Sequence, residues 1–92
     1  PGRHASCLPF VRDNDVSLVV WDMMDAAPNE YNIPWTMHGA IFAYGVSLVD
    51  NSLLEPLADV CTEEGRYEFM LTINPLNVIG GTGSPANPIA VF

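Results

Sequence analysis

Apolar residues along the chain fall into short blocks separated by Gly, Pro and Asn, and the period changes from block to block. Cys7, Leu8, Phe10 and Val11 recur at helical spacing between Ala5 and about Asp13, which predicts a short helix with Pro9 in its first turn. Val16-Ser17-Leu18-Val19-Val20-Trp21 is a β-branched run of strand length, apolar on both faces as in a covered sheet. Asp22 through Pro34 reads as loop, with Pro28-Asn29 and Asn32 as turn residues. Trp35 to Tyr44 predicts a helix ending at Gly45. Its apolar residues surround nearly the whole cylinder, so the pattern predicts a buried helix.

Val46 to Val49 reads as a short strand. Ser52-Leu53-Leu54-Glu55 has the form of a capping box and opens a helix to about Glu64, closed by Gly65. Tyr67 to Ile73 alternates as a strand, residues 80–85 form a tight loop, and residues 89–92 form a last strand. The order α-β-α-β-α-β-β predicts an α/β layer, a mixed sheet with flanking helices, in one partial domain over residues 1–92.

Composition narrows the function. Hydrophobic residues make up 49% of 92 positions and charged ones 15%. A chain this short cannot hide so much apolar surface, so it pairs with another surface or is a piece of a larger protein. The start at Pro1-Gly2-Arg3, without Met, favours the second expectation. The net charge of −8 comes from eleven carboxylates against three arginines and no lysine. Nucleic acids and anionic membrane surfaces both demand cations, so neither is an expected partner. No apolar run approaches the ~20 residues that a bilayer requires. Cys7 and Cys61 make no Cys-x-x-Cys pair. Reduced, buried thiols are the expected state, with a disulfide between them left open, and so few cysteines suggest a cytoplasmic protein.

His38 is the first candidate for chemistry, because it sits inside a helix that reads as buried. It admits two readings, a core histidine bonded to a backbone carbonyl or a site residue. Asp50 is the obvious partner. The helix advances about 9 Å from His38 to Tyr44. If Gly45 reverses the chain, the strand returns about 13 Å by Asp50, roughly level with His38. A dipole-stabilised carboxylate before the next helix is the competing account of Asp50. Asp22 and Asp25 follow a strand end, where they would line a substrate pocket with Asn29, Tyr31 and Trp35, or simply be solvated loop carboxylates. The Gly80 loop lacks the Gly-Lys-Ser/Thr ending of a phosphate cradle, and glycines at positive φ in a tight turn account for it better.

The stretch from His38-Gly39-Ala40-Ile41-Phe42-Ala43-Tyr44-Gly45-Val46 to Asp50-Asn51 resembles the second-half motif of the cyclase family of metal-dependent, kynurenine formamidase-like hydrolases. The closing segment from Gly80-Gly81-Thr82-Gly83-Ser84-Pro85 to Ala90 is similar to that family's last segment. The resemblance covers about residues 16 to 92. It implies the C-terminal portion of a swivelling β/β/α-like domain. It further implies a hydrolase that opens amide or lactone bonds, as in release of formate from N-formylkynurenine during tryptophan catabolism. The cofactor would be a divalent metal, zinc or manganese, and the full-length enzyme a homodimer. His38 matches a ligand or proton-transfer position. Asp50 stands where better-known members carry glutamate, either as a ligand or as a residue orienting His38. The family's main motif, His-x-x-x-His-x-Asp, is absent from this sequence, so the chain alone is expected to be inactive. The alternative is a small acidic module that binds a partner through exposed apolar surface.

Overall fold

The computed structural model describes residues 3–25, 32 and 36–92. The chain divides into two compact units, residues 1–53 and 54–92. Three helices and four strands make a mixed α/β protein, its strands paired as one parallel and one antiparallel two-stranded sheet.

The first unit holds α1 (Cys7–Asp13), β1 (Leu18–Val20), α2 (Met37–Tyr44) and β2 (Ser47–Val49). β1 and β2 pair in parallel, with Leu18 opposite Ser47 and Val20 opposite Val49. Parallel neighbours need a crossover, and the segment containing α2 provides it. The ladder runs past both strand ends, with Ser47 N–H donating to Ser17 O and Trp21 N–H to Val49 O. Trp21 and Asp50 therefore both sit immediately beyond the C-terminal ends of parallel strands.

Gly45 ends α2 at φ 72°, a left-handed conformation that costs glycine nothing in Cβ contact. Its N–H donates to Ile41 O, the 5→1 bond of an αL closure, and Val46 N–H donates to Ala40 O. Val46 then turns into the core with Val11, Trp21, Met37 and Ala40. Leu8, Val16, Val19, Met23 and Leu48 pack around that cluster.

The predicted burial of α2 is only half met. Met37 and Ala40 are buried, whereas Phe42 is 84% exposed and Ile41 and Tyr44 are also open. A helix apolar on all sides needs cover on all sides, and α1, β2 and the core cluster reach only one face.

The second unit holds α3 (Glu55–Glu64), β3 (Met70–Pro75) and β4 (Ala86–Val91). The predicted capping box does not form. α3 opens at Glu55 with Pro56 in its first turn, Leu54 in the cap position and no side-chain cap bond, while the Ser52 hydroxyl donates to Val49 O. Gly65 closes α3 at φ 66° as expected. β3 and β4 pair antiparallel from Met70 opposite Val91 to Pro75 opposite Ala86, so the last strand begins three residues before Ile89. In the loop between them Gly80 has φ 76°, and Ser84 Oγ accepts from Leu76 N–H. Cys7 and Cys61 are both free thiols. No helix among the described residues is long and apolar enough to cross a membrane.

Candidate functional site

Four side chains of the first unit form a continuous polar line, Trp21–Asp50–His38–Asp25. Trp21 is wholly buried, and its indole N–H donates to Asp50 Oδ1. The other carboxylate oxygen, Oδ2, lies 3.0 Å from His38 Nε2. On the far side of the ring, Nδ1 lies 3.0 Å from Asp25 Oδ2. His38 and Asp50 are about a quarter exposed, whereas the Asp25 side chain is 1% exposed. The line thus opens to solvent at the His38–Asp50 pair and is closed at both ends.

The backbone explains the convergence. His38 lies in the first turn of α2, and the left-handed closure at Gly45 sends β2 back along the helix. Asp50 arrives one residue past β2, level with His38, as helical rise and strand rise require. Trp21 occupies the equivalent place after β1, because strand pairing sets Val20 opposite Val49. Its N–H reaches the nearer oxygen of Asp50 and leaves Oδ2 turned to the imidazole. The competing account, in which Asp50 serves mainly a following helix terminus, finds no support in these partners.

Asp25 occupies a position that loop composition did not suggest. Thr36 precedes α2 and makes no side-chain cap bond of its own. Asp25 supplies the cap from eleven residues upstream. Its Oδ1 accepts from Thr36 Oγ1 at 2.6 Å and from Met37 N–H at 3.1 Å, and its Oδ2 accepts from His38 N–H at 2.8 Å. Burial pushes the Asp25 carboxyl upward, but the bonds from His38 N–H, the Thr36 hydroxyl, Met37 N–H and the His38 ring outweigh it. The net effect holds Asp25 below the usual carboxylate range, as a fixed anion at the helix N-terminus. Its side chain is set into the helix end, 1% exposed.

Asp22 is exposed beside this line. Trp35, Asn29 and Tyr31 lie outside the described residues, as does most of the loop to which they belong. Trp21, read in the sequence only as the end of an apolar strand, is the member of the line that pattern alone missed. Its position directly after a covered strand, in register with the Asp50 segment, was the available signal. Among the described residues no group of three or more His, Cys, Asp or Glu side chains is placed to hold a metal ion.

The first unit thus holds His38, at the start of α2, between Asp25 and the Asp50 that directly follows β2. Comparison with known proteins makes the relationship specific. One solved structure, described as a novel cyclase, superimposes over 99% of this chain with a TM-score of 0.79 and 34% sequence identity. This chain is related to the cyclase family and corresponds to part of such a protein, spanning 30% of the length of that solved relative. No family model matches the sequence, and no curated protein matches it.

Proposed function

We propose that this chain supplies His38 and Asp50 to the divalent-metal site of a cyclase-family hydrolase that opens amide or lactone bonds, with arylformamidase-like release of formate as the leading case. The observation that carries this reading is the 3.0 Å approach of His38 Nε2 to Asp50 Oδ2 at the exposed point of the line.

The donor set fits part of a metal centre. Imidazole nitrogen and carboxylate oxygen are ligands for zinc and manganese, and a carboxylate behind the distal ring nitrogen is the usual support of a ligating histidine. Two donors do not complete a site, since catalytic zinc usually takes three protein ligands. The remainder is proposed to come from a His-x-x-x-His-x-Asp segment elsewhere in the protein. An ion held there supplies Lewis acidity toward the scissile carbonyl and toward water.

The residues of this chain have definable work around it. Asp25 holds the His38 ring from behind, Trp21 holds one oxygen of Asp50, and the remaining ring nitrogen and carboxylate oxygen meet at 3.0 Å. Asp50 is one methylene shorter than the glutamate the resemblance suggests, and the fully buried Trp21 sets where that shorter arm ends. Asp22, with Trp35, is proposed to border the substrate. The resemblance and the low cysteine count support a cytoplasmic homodimer.

Turnover tests the reading. The protein expressed from its complete reading frame should hydrolyse N-formylkynurenine or a simple aryl formamide or lactone, lose that activity to a chelator, and regain it with zinc or manganese. Activity indifferent to chelation contradicts it. The exposure of Phe42 and Ile79 favours a second reading, a non-catalytic acidic interaction module. Stable, monodisperse behaviour of the 92-residue chain without metal would support that alternative, whereas aggregation would speak against it.

A further inference from the structure

We infer that Asn51 is a positioning residue: its left-handed backbone admits one extra residue into the strand ladder at Asp50, and the resulting arch sets where the Asp50 carboxylate ends. The functional meaning rests on the proposed site role of Asp50, while the geometry stands without it.

The ladder supplies the argument. In a parallel pair the bonds are evenly spaced, and each strand offers every second residue to its neighbour. Ser47 N–H donates to Ser17 O and Trp21 N–H to Val49 O, both in step with the register that sets Val20 opposite Val49. The same rhythm, continued, brings Asn51 N–H to Trp21 O. Instead Ser52 N–H donates to Trp21 O at 2.9 Å, and Asn51 N–H is diverted to Met23 O at 3.2 Å. Asp50 and Asn51 together stand where the rhythm allows one residue, which is a bulge. Both feet of this arch rest on Trp21, one through its N–H to Val49 O and the other through its O from Ser52 N–H. The Trp21 indole then takes the Asp50 carboxylate between them.

The backbone of Asn51 makes the arch possible. Its φ is 52°. Cβ crowding disfavours that region for L-residues, and Asn is among the few that enter it readily. The Asn51 side chain is exposed, with Nδ2 3.8 Å from Met24 Sδ, a long contact that adds little. Its contribution is therefore its conformation. Glycine supplies the same conformation, and a β-branched side chain opposes it. Bulges beside sites re-aim a side chain in this way, and here the side chain is the carboxylate proposed as a metal donor.

The experiment is NMR of the metal-free protein from the complete reading frame, read at two places. Scalar coupling across hydrogen bonds should link Ser52 N to the Trp21 carbonyl in wild type. Coupling from Asn51 N to that carbonyl, the regular ladder, overturns the inference without any variant. The Trp21 indole proton, assigned through Trp21→Phe, reports the bond to Asp50. It should keep its downfield position in Asn51→Gly and move upfield in Asn51→Val. Asn51→Ala makes the same comparison if Asn51→Val does not fold. An unmoved indole signal in the folded variant, whatever its loss of stability, reduces Asn51 to a turn residue and overturns the inference. An equal upfield shift in Asn51→Gly also overturns it, because the side chain and not the backbone would then set Asp50. Zinc titration should show about 10- to 100-fold weaker binding for Asn51→Val and wild-type binding for Asn51→Gly. A moved indole signal with unchanged zinc affinity upholds the positioning of Asp50 and instead removes its proposed metal role.

Discussion

His38 Nε2 and Asp50 Oδ2 stand 3.0 Å apart across twelve residues of sequence. The turn of α2 into β2 brings them together, and each is held from behind by a separate partner, Asp25 for the ring and Trp21 for the carboxylate. Support from behind for both imidazole and carboxylate is what the proposed ligand pair requires.

The Trp21–Asp50 bond should be measurable as a coupling. A double-mutant cycle of Trp21→Phe and Asp50→Ala isolates the indole N–H contribution from the ring volume lost in each single variant. A hydrogen bond to a charged group predicts a coupling of about 1.5–3 kcal/mol in denaturant unfolding. Strict additivity would show that the two side chains are neighbours without mutual support.

Asp25 predicts a pH dependence whose sign follows from its lowered folded value. A group held below its unfolded value, near ~3.9 for aspartate, stabilises the fold above that value. The stabilisation is lost as pH falls through the lower folded value. Unfolding midpoints followed downward from about pH 6 should therefore decline below about pH 4, and Asp25→Asn should flatten this part of the decline. A wild-type decline that Asp25→Asn reproduces in full would assign acid lability to other carboxylates.

Gly45 carries the chain reversal that sets Asp50 level with His38. A Cβ there would meet nothing within 4 Å, so the cost of Gly45→Ala is confined to its φ of 72°. Left-handed backbone at a non-glycine residue predicts a loss of about 1–2 kcal/mol. Calorimetry or denaturant unfolding reads this directly. A neutral substitution would mean that the turn relaxes to another conformation, and the His38 ring resonances should then shift as well.

What could be read from the sequence follows the physics of local rules. The alternation of strand and helix, the Gly45 and Gly65 stops and the return of Asp50 to the level of His38 all follow from rise per residue and from positions where glycine is needed. These are short-range facts. The capping role of Asp25 was not legible because its partners lie eleven to thirteen residues onward, and no spacing rule says which loop carboxylate will cap a distant helix. Ser52 misled for the converse reason. It has a capping residue's chemistry, but Pro56 and the course of the chain start α3 at Glu55, and the hydroxyl turns back to Val49 O. The exposure of Phe42 shows that an apolar helix surface records what the sequence is suited to pack against, not what this chain provides.

Metal stoichiometry is the most direct test of the central claim that His38 and Asp50 are ligands. The protein from its complete reading frame, purified with zinc or manganese and analysed by native mass spectrometry, should hold metal in fixed stoichiometry. His38→Ala should lose it by more than the ~100-fold in affinity typical of removing a supporting partner, while remaining folded. Metal retained at full stoichiometry by His38→Ala would make His38 a buried-network residue and contradict the account.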